Sequence, residues 1–345
     1  VRFANSLVGS LTGGLGMVVV VTSMFFAAIS GSGIAATAAL GSILIPAMVK
    51  KGYDRSYAGA LQAISGELGV IIPPSVSMIL FGVATGVSIG DLFLAGIIPG
   101  LIIGLSLMIG VYFISKKRGY KGDTDVPKGE VLVAFKEALL ALLMPVIILG
   151  GIYGGIFTPT EAAAVAVVYV LFLGFLYKKL DTKTLFKVFH STVRDTSALL
   201  FVLAVGFLYG WMIVRLRIPH AVLQLFTSNI SSPLVAMFVL VALFLVLGCF
   251  LSVVVTINIT VPILLPIIAH YGIDPLHFGV VMILTLMLGV ITPPFGNVLF
   301  VLMRISKVPF GQLIKKLFSS AVPVLIVIVL VVLFPKIVTF LPSLL

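Results

Sequence analysis

Apolar segments long enough to cross a bilayer recur along the whole chain and restrict the folds it can adopt. Residues 92–114, residues 162–177 with their flanks, and residues 318–334 are examples, and a spanning helix needs about 20 such residues. Only 10% of the 345 residues are charged, whereas soluble domains carry roughly a quarter, and mean hydropathy is +1.30. Because only helices and closed barrels satisfy their backbone in lipid, we expect an all-α, multi-pass membrane protein.

The basic residues predict how the chain is oriented. The net charge is +11, but Lys and Arg lie in short clusters at residues 50–55, 116–121, 178–187 and 304–316. The turns at residues 88–91, 155–161 and 271–275 contain no Lys or Arg. The positive-inside rule therefore places the clusters in the cytoplasm and these turns in the periplasm. Arg215 and Arg217 are exceptions that either contact a partner or lipid, or snorkel to the interface.

Two segments between the apolar runs have distinct compositions. Residues 124–136 are charged and include Pro127, which predicts a cytoplasmic linker between the halves of the chain. Residues 180–194 mix Lys, Asp and His with apolar residues at helical spacing. That pattern predicts an amphipathic arm helix lying at the membrane interface.

An internal repeat relates the two halves. A shift of 220 positions aligns residues 43–74 with residues 263–294 without a gap, and 12 of the 32 positions are identical. Five predicted crossings separate the copies, at residues 56–87, 92–114, 136–153, 162–177 and 196–214. An odd number of crossings inverts the second copy, and inverted repeats with discontinuous helices are typical of secondary transporters.

The repeat divides the chain into three parts. The first repeat is residues 1–123, the connecting spans with the linker and arm are residues 124–214, and the second repeat with the C-terminal span is residues 215–345. Each repeat is predicted to contain a re-entrant hairpin with a polar tip, at residues 30–33 or 251–260, followed by a broken helix, at residues 56–87 or 275–303. We expect Asp54 and Asp274 to cap the starts of those helices.

Two consecutive prolines, Pro73 and Pro74 in one copy and Pro293 and Pro294 in the other, interrupt the helix hydrogen bonds. The first half of a broken helix presents carbonyl oxygens suited to Na⁺, and the second half presents N–H groups suited to a carboxylate. Non-helical backbone at membrane depth is tolerated where it is buried in protein or lines a cavity. Both tips and both breaks are therefore candidate binding elements.

At this point the chain resembles the large membrane subunit of tripartite ATP-independent periplasmic (TRAP) transporters, the DctM-like or SiaM-like family. The resemblance covers essentially all 345 residues, and its motifs are FAAISGSGIAATAA at 26–39, ILIPAMVKKGYD at 43–54, TGVSIGDLFLAGIIPG at 85–100, GGIYGGIFTPTEAAA at 150–164, and residues 262–296. It implies an elevator-type, ion-transporter-like fold and sodium-driven uptake of organic acids such as C4-dicarboxylates or sialic acid. No enzymatic activity and no cofactor are expected, with Na⁺ as the coupling ion.

The resemblance also implies partners and a location. The expected partners are a small four-helix membrane subunit, a soluble periplasmic substrate-binding protein, the organic-acid substrate and lipid, with no nucleic acid. The location is the bacterial or archaeal inner membrane. Family members are longer at the N-terminus, so we expect this chain to lack one or more initial spans.

Carried over by position, the resemblance assigns ion and substrate sites. The first sodium site comprises Ser30, Gly31, Ser32, Gly33, Gly69, Ile72, Pro73 and Ser75. The second comprises Ser252, Thr256, Gly289, Thr292, Pro293 and Gly296, and it departs from the many relatives that have Asp at the position of Ser252. The substrate vicinity comprises Ser32, Pro74, Asn258, Pro294 and Asn297. Because neither the first tip nor the first break contains an acid, we expect neutral oxygens to hold the first sodium ion.

Four other polar residues have competing interpretations. Glu67 lies in the middle of a predicted span, where a carboxylate is a functional candidate, although it could instead cap the broken helix or reach an aqueous pocket. Glu161 is predicted to complete a capping box with Thr158. His270 and His277 lack the spacing of a helical zinc motif, so we expect no metal other than sodium.

Three other functions compete with this interpretation. A symporter that needs no binding protein would share the same repeats. An intramembrane hydrolase would need a base beside a nucleophile such as Ser30, and the sequence offers none at an obvious distance. A passive channel does not explain two inverted broken helices.

Overall fold

The computed structural model describes residues 1–123 and 129–344, and all regular structure in these residues is helical. The α-helices are α1 (Arg2–Val8), α2 (Gly14–Ser30), α3 (Gly33–Lys50), α4 (Arg55–Glu67), α5 (Val76–Thr85), α6 (Ile89–Arg118), α7 (Glu130–Tyr153), α8 (Pro159–Leu176), α9 (Thr182–Arg215), α10 (Ile218–Asn229), α11 (Pro233–Phe250), α12 (Val253–His270), α13 (Pro275–Gly289), α14 (Asn297–Ser306), α15 (Phe310–Leu333) and α16 (Lys336–Thr339). Eight of them are long and apolar enough to cross a membrane. The expectation of an all-α, polytopic membrane protein is confirmed.

Polar residues set several helix starts. Asp54 accepts a hydrogen bond from Tyr57 N at 2.8 Å, and Asp274 accepts one from Leu276 N at 2.7 Å, so both predicted caps are confirmed. The predicted capping box is also present, because Thr158 Oγ1 accepts from Glu161 N and the Glu161 carboxylate accepts from Thr158 N. Glu161 thus has a structural role at the start of α8.

Two helical hairpins correspond to the two predicted tips. In the first, α2 and α3 are joined by Gly31 and Ser32; in the second, α11 and α12 are joined by residues 251–252. The prediction of a polar tip over residues 251–260 is too long, because α12 already begins at Val253. Its later threonines bond within the helix, as Thr260 Oγ1 does to Thr256 O at 2.7 Å, and so they do not interrupt it.

Each hairpin is followed by a helix interrupted at the paired prolines. In the first copy α4 ends at Glu67, a short 3₁₀ turn covers Leu68–Val70, and α5 begins at Val76. In the second copy α13 ends at Gly289 and α14 begins at Asn297. The first halves, α4 and α13, are buried along almost their whole lengths. The core of the protein is therefore built around the two broken helices.

Helix α15 shows that the hairpins open in opposite directions. Ser56, near the open end of the first hairpin, lies 3.5 Å from Gln312 at the start of α15. His277, near the open end of the second hairpin, forms a 2.8 Å hydrogen bond with Val331 O near the end of α15. Gln312 and Val331 are 19 positions apart in α15, which corresponds to about 28 Å along the helix.

The second halves of the broken helices exchange between repeats. Helix α14 packs against α3 of the first hairpin, and α5 packs against α12 of the second. The Gly279 Cα in α13 also lies against the ring of Phe81 in α5. The two repeats are therefore interlocked, and neither hairpin packs only against its own repeat.

The segment between the repeats differs from one sequence prediction. Residues 180–194 do not form a separate arm helix, because α9 continues without a break for 34 residues from Thr182 to Arg215. Residues 124–128 of the predicted linker, with Pro127, lie outside the described residues, and α7 begins at Glu130. Helices α7, α8 and α9 are mostly exposed, which suits contact with lipid or another subunit.

Candidate functional site

The two tips and the two breaks line one cavity of about 230 Å³. Its wall is formed by Gly31, Ser32, Gly33, Ile34, Glu67, Val70, Val76, Leu199, Ser252, Val253, Val254, Val290, Asn297 and Val298. The volume is below the ~300–1,000 Å³ typical of drug-sized ligand sites, so the cavity suits a small solute. A larger cavity of about 430 Å³ lies at the basic loops around Lys51 and Arg118, away from the tips.

Four helices begin at the wall of this cavity. Ser32 is the N-cap of α3 and Ser252 is the N-cap of α12, while Val76 is the first residue of α5 and Asn297 is the first residue of α14. Ser32 and Ser252 are also equivalent in the repeat, since they are 220 positions apart. A helix N-terminus carries a partial positive charge and free N–H groups. The cavity therefore presents four positive helix ends.

The first tip packs directly between the two sides of the first break. Val76 N donates a hydrogen bond to Gly31 O at 3.3 Å. A Cβ on Gly31 would lie 2.7 Å from Pro74 O, and a Cβ on Gly69 would lie 2.8 Å from the carbonyl carbon of Ser32. The structure thus brings Gly31, Ser32, Gly33 and Gly69 of the predicted first sodium site together.

The two hydroxyls predicted for that site are already engaged locally. Ser75 Oγ, fully buried, donates to Val70 O at 2.6 Å and so closes the turn within the break. Ser30 Oγ lies 3.4 Å from both the N and the O of Ser32. Both oxygens keep a lone pair that could accept a further contact. Ile72 packs against Gly100 of α6, and Pro73 is buried.

The second tip contacts its break through different groups from those of the first tip. Gly248, near the end of α11, meets Gly289 at the end of α13, and a Cβ on Gly289 would lie 2.7 Å from the Gly248 Cα. Phe295 N donates to Cys249 O at 3.4 Å. The predicted second sodium site therefore has its tip and break in contact, mainly through the first arm of the hairpin.

The threonine side chains of the predicted second site form hydrogen bonds to backbone carbonyls four residues earlier. Thr256 Oγ1 donates to Ser252 O at 3.0 Å, and Thr292 Oγ1 donates to Leu288 O at 2.7 Å. Gly296 is the N-cap of α14 at a φ of 55°, and Pro293 lies in the break before it. Only Ser252 of this set lines the cavity.

The substrate-vicinity residues are divided by the structure. Ser32 and Asn297 line the cavity, whereas Pro74 and Pro294 are not among its lining residues. Asn258 is buried and faces Gly206 of α9 instead. Sequence reasoning missed Leu199 of α9 as a lining residue, because nothing in the local pattern indicates which long helix passes the tips.

Glu67 places a carboxyl group beside the first tip, which has no acid of its own. Its carboxyl group contacts Gly33, so closely that a Cβ on Gly33 would clash with it. The side chain is 2% exposed and lines the cavity, and its Oε1 has no hydrogen-bond partner. Glu67 is not part of the first tip in sequence, but α4 runs back along α3 and places it there.

The histidines provide no metal centre. His277 bonds the backbone at Val331, and His270 stacks edge-on against Tyr271. Among the described residues, no group of three or more His, Cys, Asp or Glu side chains could hold a metal ion.

Comparison with known proteins gives one consistent result. A family model described as "Tripartite ATP-independent periplasmic transporter, DctM component" matches residues 1–337. The sialic acid TRAP transporter large permease protein SiaM of Vibrio cholerae is 41% identical over 344 residues, covering 99% of this chain and 81% of that protein. The C4-dicarboxylate TRAP transporter large permease protein DctM of Pseudomonas aeruginosa is 38% identical over 99% of this chain and 79% of its own length. The sialic acid TRAP transporter permease protein SiaT of Haemophilus influenzae is 38% identical over 100% of this chain, which spans 56% of its length.

Proposed function

The chain belongs to the DctM component family of tripartite ATP-independent periplasmic transporters, and we propose that it performs sodium-coupled uptake of a small organic acid. It is an inner-membrane transporter permease and not an enzyme, which removes the intramembrane hydrolase interpretation. We further propose that a periplasmic binding protein delivers the substrate and that a small four-helix membrane subunit completes the permease.

The single observation that carries this function is the set of four helix N-termini around one small cavity. Half-helix N-termini pointed at a carboxylate are a recurrent substrate site in transporters built from inverted repeats. Ser32, Ser252 and Asn297 add hydrogen-bonding groups to a wall that, apart from Glu67, is otherwise apolar. A small organic anion is the ligand that this combination favours.

Sodium coupling is proposed for the contact between the first tip and the first break. The residues fit a cation there because an unpartnered buried carboxylate oxygen of Glu67 lies beside Gly33, and Gly69 packs on the Ser32 backbone. Ser30 and Ser75 would contribute hydroxyl oxygens, and the break would contribute carbonyls. A bound sodium ion would supply positive charge that balances the negative charge of the substrate.

We propose an elevator mechanism in which the two hairpins and broken helices move as one body. The packing of α14 on α3 and of α5 on α12 supports this, because it joins the two repeats into one packed unit. The opposite placement of the hairpin bases along α15 supports entry of the tips from opposite membrane faces.

The experiment that tests this function is uptake into proteoliposomes. The permease, with its small subunit where that is encoded separately, is reconstituted, and a labelled organic acid is added with its binding protein. We expect uptake only with an inward sodium gradient and loaded binding protein. Full-rate uptake of free substrate would instead support a symporter that needs no binding protein, and uptake unaffected by sodium would remove the coupling.

A further inference from the structure

Glu67 is an isolated carboxylate at the centre of the molecule. Its side chain is 2% exposed, lines the cavity shared by both tips, and contacts the backbone of Gly33. It makes no capping hydrogen bond to the turn that follows it, and α3 already has Ser32 as its N-cap. Capping therefore does not explain why the side chain is there.

Glu67 also has no counterion among the residues that the structure describes. The cavity wall contains no Lys, Arg or His, and the ion pairs found involve Arg2, Lys51 and Arg194 instead. The charged residues of the helices packed around it, such as Lys50, Arg55 and Arg304, are exposed near helix ends. A buried carboxylate without partner or counterion is costly, so a proton or a bound cation must neutralise it.

Other buried side-chain oxygens of α3 and α4 also lack hydrogen-bond partners. Thr37 follows Gly33 by one helical turn, and its Oγ1 contacts the Gly66 Cα region next to Glu67. The side-chain oxygens of Thr37, Gln62 and Ser65 are buried and make no hydrogen bonds within the described chain. Unsatisfied buried oxygens are rare in folded proteins. The Thr37 hydroxyl lies one helical turn from the contact between Glu67 and Gly33, and a carboxylate with a neighbouring hydroxyl oxygen suits a hard cation, which takes oxygen ligands.

We propose that Glu67 is the charged ligand of a sodium ion bound between α3, α4 and the first tip. This inference rests on the proposed function and replaces the expectation that neutral oxygens alone hold that ion. It also explains coupling. The negative charge of an ionised Glu67 repels a substrate carboxylate from the four positive helix ends until a cation neutralises that charge. The second repeat has Met287 at the equivalent position, so the charged ligand belongs to the first repeat alone.

The test measures ion binding without transport. Purified protein in detergent, without substrate, is unfolded thermally while sodium chloride replaces choline chloride at constant ionic strength. We expect the parent's unfolding midpoint to rise with sodium but not with potassium. Glu67→Gln should raise the sodium concentration for the half-maximal shift at least about tenfold, the factor that 1.4 kcal/mol corresponds to. Glu161→Gln, the same change at a helix cap outside the cavity, should match the parent.

The proposal is overturned if the sodium concentration for the half-maximal shift is the same in Glu67→Gln as in the parent. It is also overturned if potassium raises the parent's unfolding midpoint as sodium does. Where Glu67→Gln does not fold, Glu67→Asp keeps the charge on a shorter side chain. An unchanged sodium concentration for the half-maximal shift in that variant also overturns the proposal. Sodium-dependent uptake by the parent is scored separately. Its absence removes the proposed function, whereas its presence with an unaffected Glu67→Gln removes only this inference.

Discussion

The backbone N–H of Val76 donates to the carbonyl of Gly31 at 3.3 Å, which joins the second half of the first broken helix to the tip of the first hairpin. The contact requires glycine at position 31, where φ is +62° and a Cβ would lie 2.7 Å from Pro74 O. Tip and break therefore behave as one structural unit.

Gly31→Ala should disrupt that unit. Overpacking costs about 1–3 kcal/mol, and the left-handed backbone adds about 1–2 kcal/mol. We expect a lower unfolding midpoint and loss of uptake in protein that still inserts. Gly86→Ala is the matched control, because Gly86 has a φ of +78° but nothing within 4 Å of its Cβ position. Equal losses of uptake in the two variants would show that the contact with Pro74 does not cause the loss.

Gly289→Ala should destabilise the second repeat through a backbone clash. Its Cβ would lie 2.7 Å from the Gly248 Cα, an atom that cannot rotate away. The expected loss is about 1–3 kcal/mol of unfolding free energy, measured by thermal or denaturant unfolding. Gly150→Ala, in α7 with nothing within 4 Å of the added carbon, should be neutral or slightly stabilising. A neutral Gly289→Ala would show that α11 and α13 can separate without cost.

Ser30→Ala and Ser75→Ala should each raise the sodium concentration needed for half-maximal uptake. A lost contact of ~1–3 kcal/mol corresponds to roughly 5- to 150-fold in affinity. Ser252→Ala should change this concentration less than either. Because Ser75 also bonds Val70 O, Ser75→Thr serves as a control that keeps the hydroxyl. Sodium titrations of reconstituted variants test this, and values matching the parent for Ser30→Ala and Ser75→Ala would remove these residues from the site.

The cavity lined by both tips should be reached from each side of the membrane in turn. Ser32→Cys and Ser252→Cys place a thiol on the cavity wall, and Cys249→Ser removes the single native cysteine. We expect an impermeant thiol reagent to label each position from one face in a way that depends on sodium and substrate. Labelling of both from the same face under all conditions would rule out the proposed alternating access.

Much of the fold could be predicted from local sequence. Paired prolines end a helix wherever they occur, so the breaks after α4 and α13 could be located in advance. The repeat indicated that the breaks are equivalent, and Asp54, Asp274 and Thr158 marked helix starts by capping chemistry that involves only neighbouring residues. The extent of the second tip was mispredicted, because threonines can bond within a helix as well as interrupt it.

The sequence by itself thus determined the membrane class, the repeat, the helix breaks and the family. Tertiary structure alone decided which groups meet. Glu67 is more than 30 positions from Gly33 in sequence, and only the antiparallel packing of α4 on α3 brings its carboxylate to the tip. The convergence of four helix N-termini likewise depends on α5 and α14 crossing between repeats. Local patterns fix where helices begin and end, but the partners of a buried charge depend on how distant helices pack.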